Sequence, residues 1–256
     1  MKRITFCLLS LIAATAAHAD PEQACGDAMV DALAKAAKVT ADVVAQACKP
    51  LPDDPRTTIV VAAFGNADEE DGTKQQVVGL VDTASSRVLA MGRDTIEEDA
   101  VTHVGESAYV IDTARYRLSP EVRAFGIVFH SDARGPSCPD AYASGELTLW
   151  VRDGKALRPV LGTNLDGWVS VKGTACGAGH GEAVSEDAHI TVAVEKTATH
   201  GYADISLTAH ITSSHRGADD AWQDGPKRTG KTLLKYDGKS YGTDMFRNFW
   251  YPATSE

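Results

Sequence analysis

Glu146-Leu147-Thr148-Leu149-Trp150-Val151-Arg152-Asp153-Gly154-Lys155-Ala156-Leu157-Arg158-Pro159-Val160 decides the fold class. Two strand-favouring runs flank Asp153-Gly154, and a two-residue turn that matches the twist of antiparallel strands needs positive φ, which this dipeptide supplies. The same grammar extends outward from residue 57, with short β-branched runs at 57–64, 75–82, 87–91, 107–112 and 123–130. Residues 189–195 and 202–212 read as a further hairpin with a longer loop, and Asp237-Gly238 joins 232–236 to 240–241. The expected fold is mainly β, an antiparallel meander. Val81-Asp82-Thr83-Ala84 is echoed by Ile111-Asp112-Thr113-Ala114, so the meander is expected to be a β-sandwich or propeller-like.

Upstream of the strands the pattern is helical. Pro21 suits a first helical turn, and Met29, Val30, Leu33, Ala36 and Ala37 recur on one helix face. A second helix is expected from Thr40, as N-cap, through Val43, Val44 and Ala47 to Cys48, with Pro50 stopping it. Residues 20–52 thus form a helical hairpin, and Pro50, Pro52 and Pro55 make a stiff connector into a β-rich domain over 53–256.

Residues 1–19 carry the marks of a cleavable signal peptide: Lys2 and Arg3, an apolar run over 4–17, and Ala17-His18-Ala19 before Asp20. The run, about fourteen residues, is short beside the roughly 20 that a spanning helix needs, and no later apolar run reaches that length. No membrane span is expected in the mature chain, which is read as periplasmic or secreted. Cleavage removes two basic residues and no acid, leaving 23 basic against 35 acidic residues, a net charge of −12. Such a polyanion disfavours nucleic acid and favours a cationic protein partner. Cys7 leaves with the signal, and an even set remains: Cys25, Cys48, Cys138 and Cys176. Of three possible connectivities, pairing of neighbours is expected, Cys25 with Cys48 and Cys138 with Cys176.

The phrases Val81-Asp82-Thr83, Asp112-Thr113-Ala114-Arg115-Tyr116-Arg117-Leu118 and Val122-Arg123-Ala124-Phe125-Gly126 resemble uncharacterised exported proteins of proteobacteria. The resemblance spans about a third of the chain and implies a periplasmic protein. It assigns no activity and no residue role.

Catalytic motifs are missing. Gly105-Glu106-Ser107-Ala108-Tyr109 fails the last position of a nucleophile elbow, and there is no H-E-x-x-H helix. Gly230-Lys231-Thr232 lacks the upstream glycine of a phosphate-binding loop, and the acidic loop around Asp68 lacks the spacing of a calcium loop. Two constellations remain. Alternation places His189 and His210 on the polar face of one hairpin, and pairing Glu195 with Tyr202 would set Asp187 opposite His210, a donor set suited to zinc or copper. The same side chains also read as the solvated face of a half-buried hairpin. The second constellation is a long loop over 213–230, in which Trp222 stands among Asp219, Asp220 and Asp224, an aromatic anchor with acidic steering. The expected function is an acidic, disulfide-stabilised binding protein, an inhibitor or immunity-type protein against a cationic envelope hydrolase. The alternative is a periplasmic metal-binding protein or metal-dependent hydrolase.

Overall fold

The computed structural model describes residues 25–65, 72–173, 181–217 and 221–252. One helix, α1 (Asp27–Ala37), precedes eleven strands: β1 (Asp42–Leu51), β2 (Asp54–Gly65), β3 (Thr73–Asp82), β4 (Val88–Glu97), β5 (Tyr109–Asp112), β6 (Phe125–Phe129), β7 (Ala141–Asp153), β8 (Ala156–Lys172), β9 (Ala183–Thr199), β10 (Tyr202–Arg216) and β11 (Trp222–Leu234). The mainly β, mostly antiparallel architecture read from the sequence is present. All eleven strands belong to one sheet rather than to separate blades or two packed sheets.

Eight strands follow the order β1-β2-β3-β4-β8-β7-β6-β5, and the path curls until its ends approach. Nζ of Lys49 on β1 donates to the carbonyl of Ile111 on β5 at 3.1 Å. Alternation along β2 shows what this curl encloses. Ile59, Val61 and Ala63 enter an interior cluster with Val78, Leu80, Tyr109, Ile127, Phe129 and Trp150. Val60, Ala62 and Phe64, on the other face, pack with Val30 and Leu33 of α1. A strand buried on both faces needs a continuous apolar run, which residues 59–64 supply. Each large apolar side chain removed from water here contributes roughly 1.5–3 kcal/mol.

The helix docks closely because β3 offers it no side chain at Gly79, where a Cβ would lie 2.6 Å from Cδ1 of Leu33. It ends at Lys38, in the left-handed region with φ 55°, with Val39 N–H donating to Ala34 O. The second expected helix is absent: residues 42–51 form β1, paired antiparallel with β2 through Cys48↔Val60. Ala, Val and Cys over 43–48 suit either state, and pairing with the apolar edge of β2 decides it. The helical hairpin over 20–52 is therefore a helix followed by a strand. The stiff connector is the short turn of the β1–β2 hairpin, and Pro50 is tolerated because β1 is a terminal strand of the sheet's hydrogen-bonded order. The Cys25–Cys48 disulfide forms as expected and staples α1 to β1.

Beyond β8 the sheet continues through β9, β10 and β11. Ile190, Ile205, Leu207 and Ile211 cover Leu147, Leu149 and Leu161, with Trp250 completing that cluster. The expected long loop over 213–230 is mostly strand, since β10 runs to Arg216 and β11 starts at Trp222. Its Gly225, Pro226 and charged residues read as loop chemistry, yet they are also what a terminal strand carries against edge-to-edge pairing.

One edge of β8 is shared by three neighbours in succession. β4 meets it at the single parallel pair Met91↔Ala156. A C-terminal strap then runs along it: Tyr241 N–H donates to Val160 O at 2.7 Å, Gly162 N–H to Gly242 O at 3.0 Å and Asn164 N–H to Met245 O at 3.1 Å. From Asp166 onward the edge belongs to β9.

Candidate functional site

The strand pairing gathers the two constellations on one exposed face. His189 on β9 stands opposite His210 on β10 and, on its other side, opposite Asp166 on β8. Its Nδ1 lies 2.7 Å from Oδ1 of Asp166. Two positions along β9, Asp187 stands opposite Thr212 and Trp168. The expected register had Asp187 facing His210; the hairpin instead closes four places further along β9, at Tyr202↔Thr199, and an irregularity between Ala203 and Ile205 takes two of them back, which sets the imidazoles against each other. Among the described residues no three His, Cys, Asp or Glu side chains converge to hold a metal ion. His189, His210 and Asp187 share a face without forming a coordination shell.

Trp222 and Asp224 reach the same neighbourhood from β11. Trp222 pairs with Arg216, whose guanidinium carbon lies 5.7 Å from the indole centroid, a cation–π contact that holds a ring 43% exposed. Asp224 is opposite Ser214 and near enough to Asp187 to matter electrostatically. Partial burial, reinforced by the Asp224 charge, raises the Asp187 carboxyl above its ordinary value. Neither carboxylate makes an ion pair among the described residues. Asp219, Asp220, Cys176 and the signal segment 1–19 lie outside the described residues. Cys138 is itself disulfide-bonded.

Three further residues contribute to this face. Asp166 supplies the carboxylate that His189 contacts. Tyr142 on β7 and Trp168 on β8 stand opposite each other with near-parallel rings, 6.1 Å between centroids and 18° between planes. Asp166-Gly167 resembles a turn but lies inside β8, where glycine is required because a Cβ would come within 2.6 Å of the Trp250 ring. Tyr142, Asp166, Asp187, His189, His210 and Thr212 line a shallow concavity of about 410 Å³. Such a surface can stack on flat groups and accept hydrogen bonds from donors or cations.

Comparison of the chain with family models, curated proteins and solved structures finds no match.

Proposed function

We propose that this chain is an exported binding protein that docks a cationic protein on the outer face of β7 to β11. The observation that carries this reading is the pair Asp187 and Asp224 on one face, where the Asp224 charge adds to the burial that raises the Asp187 carboxyl and neither has an ion-pair partner among the described residues. A fold keeps such a repulsive pair at a cost, and a Lys or Arg from a partner relieves it. Tyr142, Trp168 and Trp222 add aromatic surface around the carboxylates, the combination found at interface anchors. The signal-like segment 1–19 and the even set of cysteines after it support export to the periplasm, and a disulfide suits an oxidising compartment. An inhibitor or immunity-type role against a basic envelope hydrolase fits the net charge of −12 that follows cleavage.

The test is affinity capture from periplasmic extract with the native protein and with Asp187→Asn/Asp224→Asn. A basic protein that is retained at low salt, released by salt and lost with the double variant supports the proposal. No basic partner, or a partner held equally by both proteins, overturns it.

A further inference from the structure

The seam between β4 and β8 holds a cavity that the outer face does not use. Beyond Met91↔Ala156 the two strands part, and the C-terminal strap takes the edge of β8 while β4 carries Asp94 to Glu97 away. The space between measures about 320 Å³ and is bordered by Gln76, Asp94, Glu97, Phe129, Glu146 and Met245. A second hollow of about 460 Å³, under the segment leading into β7, shares Thr102, Phe129 and Glu146 with the first, so Glu146 stands at the junction.

Side-chain parity shows where these groups point. Leu147, Leu149 and Val151 enter the cluster beneath β9 and β10, whereas Trp150 enters the interior of the curled sheet. Glu146 and Thr148 share the Trp150 side of β7 and therefore face inward. Asp94 shares its side of β4 with Ala90 and Ile96, which pack in the same interior. Asp94, Glu97 and Glu146 all border the one cavity, the first and last from the inward side of their strands, and among the described residues no Lys, Arg or His lines it. Glu146 has no hydrogen-bond or ion-pair partner among the described residues, and burial alone raises its carboxyl above the usual range.

The interior beside this cavity also holds orphaned donors. Among the described residues the hydroxyl of Tyr109, a residue 3% exposed, has no partner, nor has Nε1 of Trp150, 1% exposed. The Tyr109 ring packs 5.9 Å from that of Phe129, a wall of the cavity, and its hydroxyl feels the charge of Asp94. Buried polar groups are nearly always paired in native proteins, and those left over are completed by a water, an ion or a ligand.

We propose that this seam is a binding site for a small organic cation, an ammonium group on a compact apolar body, with Glu146 and Asp94 holding the charge and Phe129, Ile127 and Met245 the body. The volume suits a ligand of roughly ten to fifteen heavy atoms, at the lower end of small-molecule pockets. The mouth of a curled sheet is a frequent place for one.

The experiment is titration of the mature protein, followed by two-dimensional amide and indole NMR, with three probes of like shape: 2-phenylethylamine, 2-phenylethanol and 3-phenylpropionate. The amine is expected to bind at least tenfold more tightly than the other two and to shift the Trp150 indole resonance, identified with Trp150→Phe. Glu146→Gln, with an otherwise unchanged spectrum, is expected to lower amine affinity about tenfold, and Asp187→Asn to leave it as it was. Equal binding of the three probes, no binding by the amine, shifts confined to the outer face, or an unchanged Glu146→Gln titration overturns the proposal.

Discussion

Asp204 on β10 accepts the hydroxyl of Thr199 on β9 at 2.7 Å, and it does so where the register of the two strands shifts. Its second oxygen takes the Thr197 hydroxyl, also at 2.7 Å. The strands are paired as Ala203↔Ala198 before this point and as Ile205↔Val194 after it. This carboxylate therefore holds the slip that brings His210 opposite His189.

The hydroxyl contacts, led by Thr197, lower the Asp204 carboxyl below its ordinary value of 3.8. A lowered carboxyl stabilises the fold above its unfolded-state pKa, and that contribution disappears as pH falls through the folded-state value. Asp204→Ala is expected to lower the urea midpoint more at pH 7 than at pH 3. Equal losses at both pH values would refute an electrostatic role.

Asp187 has the opposite sign. Its raised carboxyl binds protons more readily in the folded state, so its contribution grows as pH falls from neutral toward 3.8. Asp187→Asn is expected to stabilise the free protein at pH 7 by about 0.5 kcal/mol or less, exposed charges being well screened. Chemical denaturation at neutral pH measures it, and destabilisation would contradict the repulsion with Asp224.

Lys74 and Glu98 form an ion pair at 3.0 Å with side chains 3% and 0% exposed. Glu98 also accepts the Val104 N–H at 2.7 Å. Glu98→Gln removes one charge of a buried ion pair and is expected to cost about 3–5 kcal/mol. Lys74→Met/Glu98→Leu is expected to recover part of that loss, as a denaturation cycle over the four proteins will show.

Gly162 is the point where the strap comes closest to β8. A Cβ there would lie 2.2 Å from the Thr243 carbonyl oxygen, a backbone atom that moves only with the strap. Gly162→Ala is expected to cost about 1–3 kcal/mol and to speed proteolysis after residue 240, read by limited digestion. Gly154→Ala is not an equivalent control, since Gly154 has φ 61° and alanine would be strained there for another reason.

The Cys25–Cys48 disulfide closes a separation of 23 residues, worth about 3.5 kcal/mol in the chain-entropy account. Cys25→Ala/Cys48→Ala is expected to lose that much in denaturant, and peptide mapping is expected to find Cys138 joined to Cys176.

What the chain discloses locally is what could be read from it. The β7–β8 hairpin was legible because Asp153-Gly154 carries its own turn, with Asp153 pairing with Ala156. The run at 59–64 was legible because apolar β-branched residues leave little choice. By contrast, β1 has an ambiguous composition, and its state depends on β2, a partner that local pattern does not name. β11 was hidden because the residues that protect a terminal strand are the residues of loops. The outer face was half visible: period two placed His189 and His210 together, but the register depends on Asp204, Thr197 and Thr199 acting across strands. Asp166 joins only through the β8–β9 pairing, which no local motif announces. The seam cavity was invisible, because it exists only where β4 departs from β8 and a distant strap takes its place.

That strap and the disulfide act at opposite ends of the chain. The Cys25–Cys48 bridge joins α1 to β1, the first two elements in chain order, and draws on none of the later strands. Residues 241–245 follow all the described strands in chain order, and they alone pair the backbone of Val160, Gly162 and Asn164 on that edge of β8 among the described residues. The strap thus acts as a clasp, closing a stretch of edge between the places where β4 and β9 meet β8.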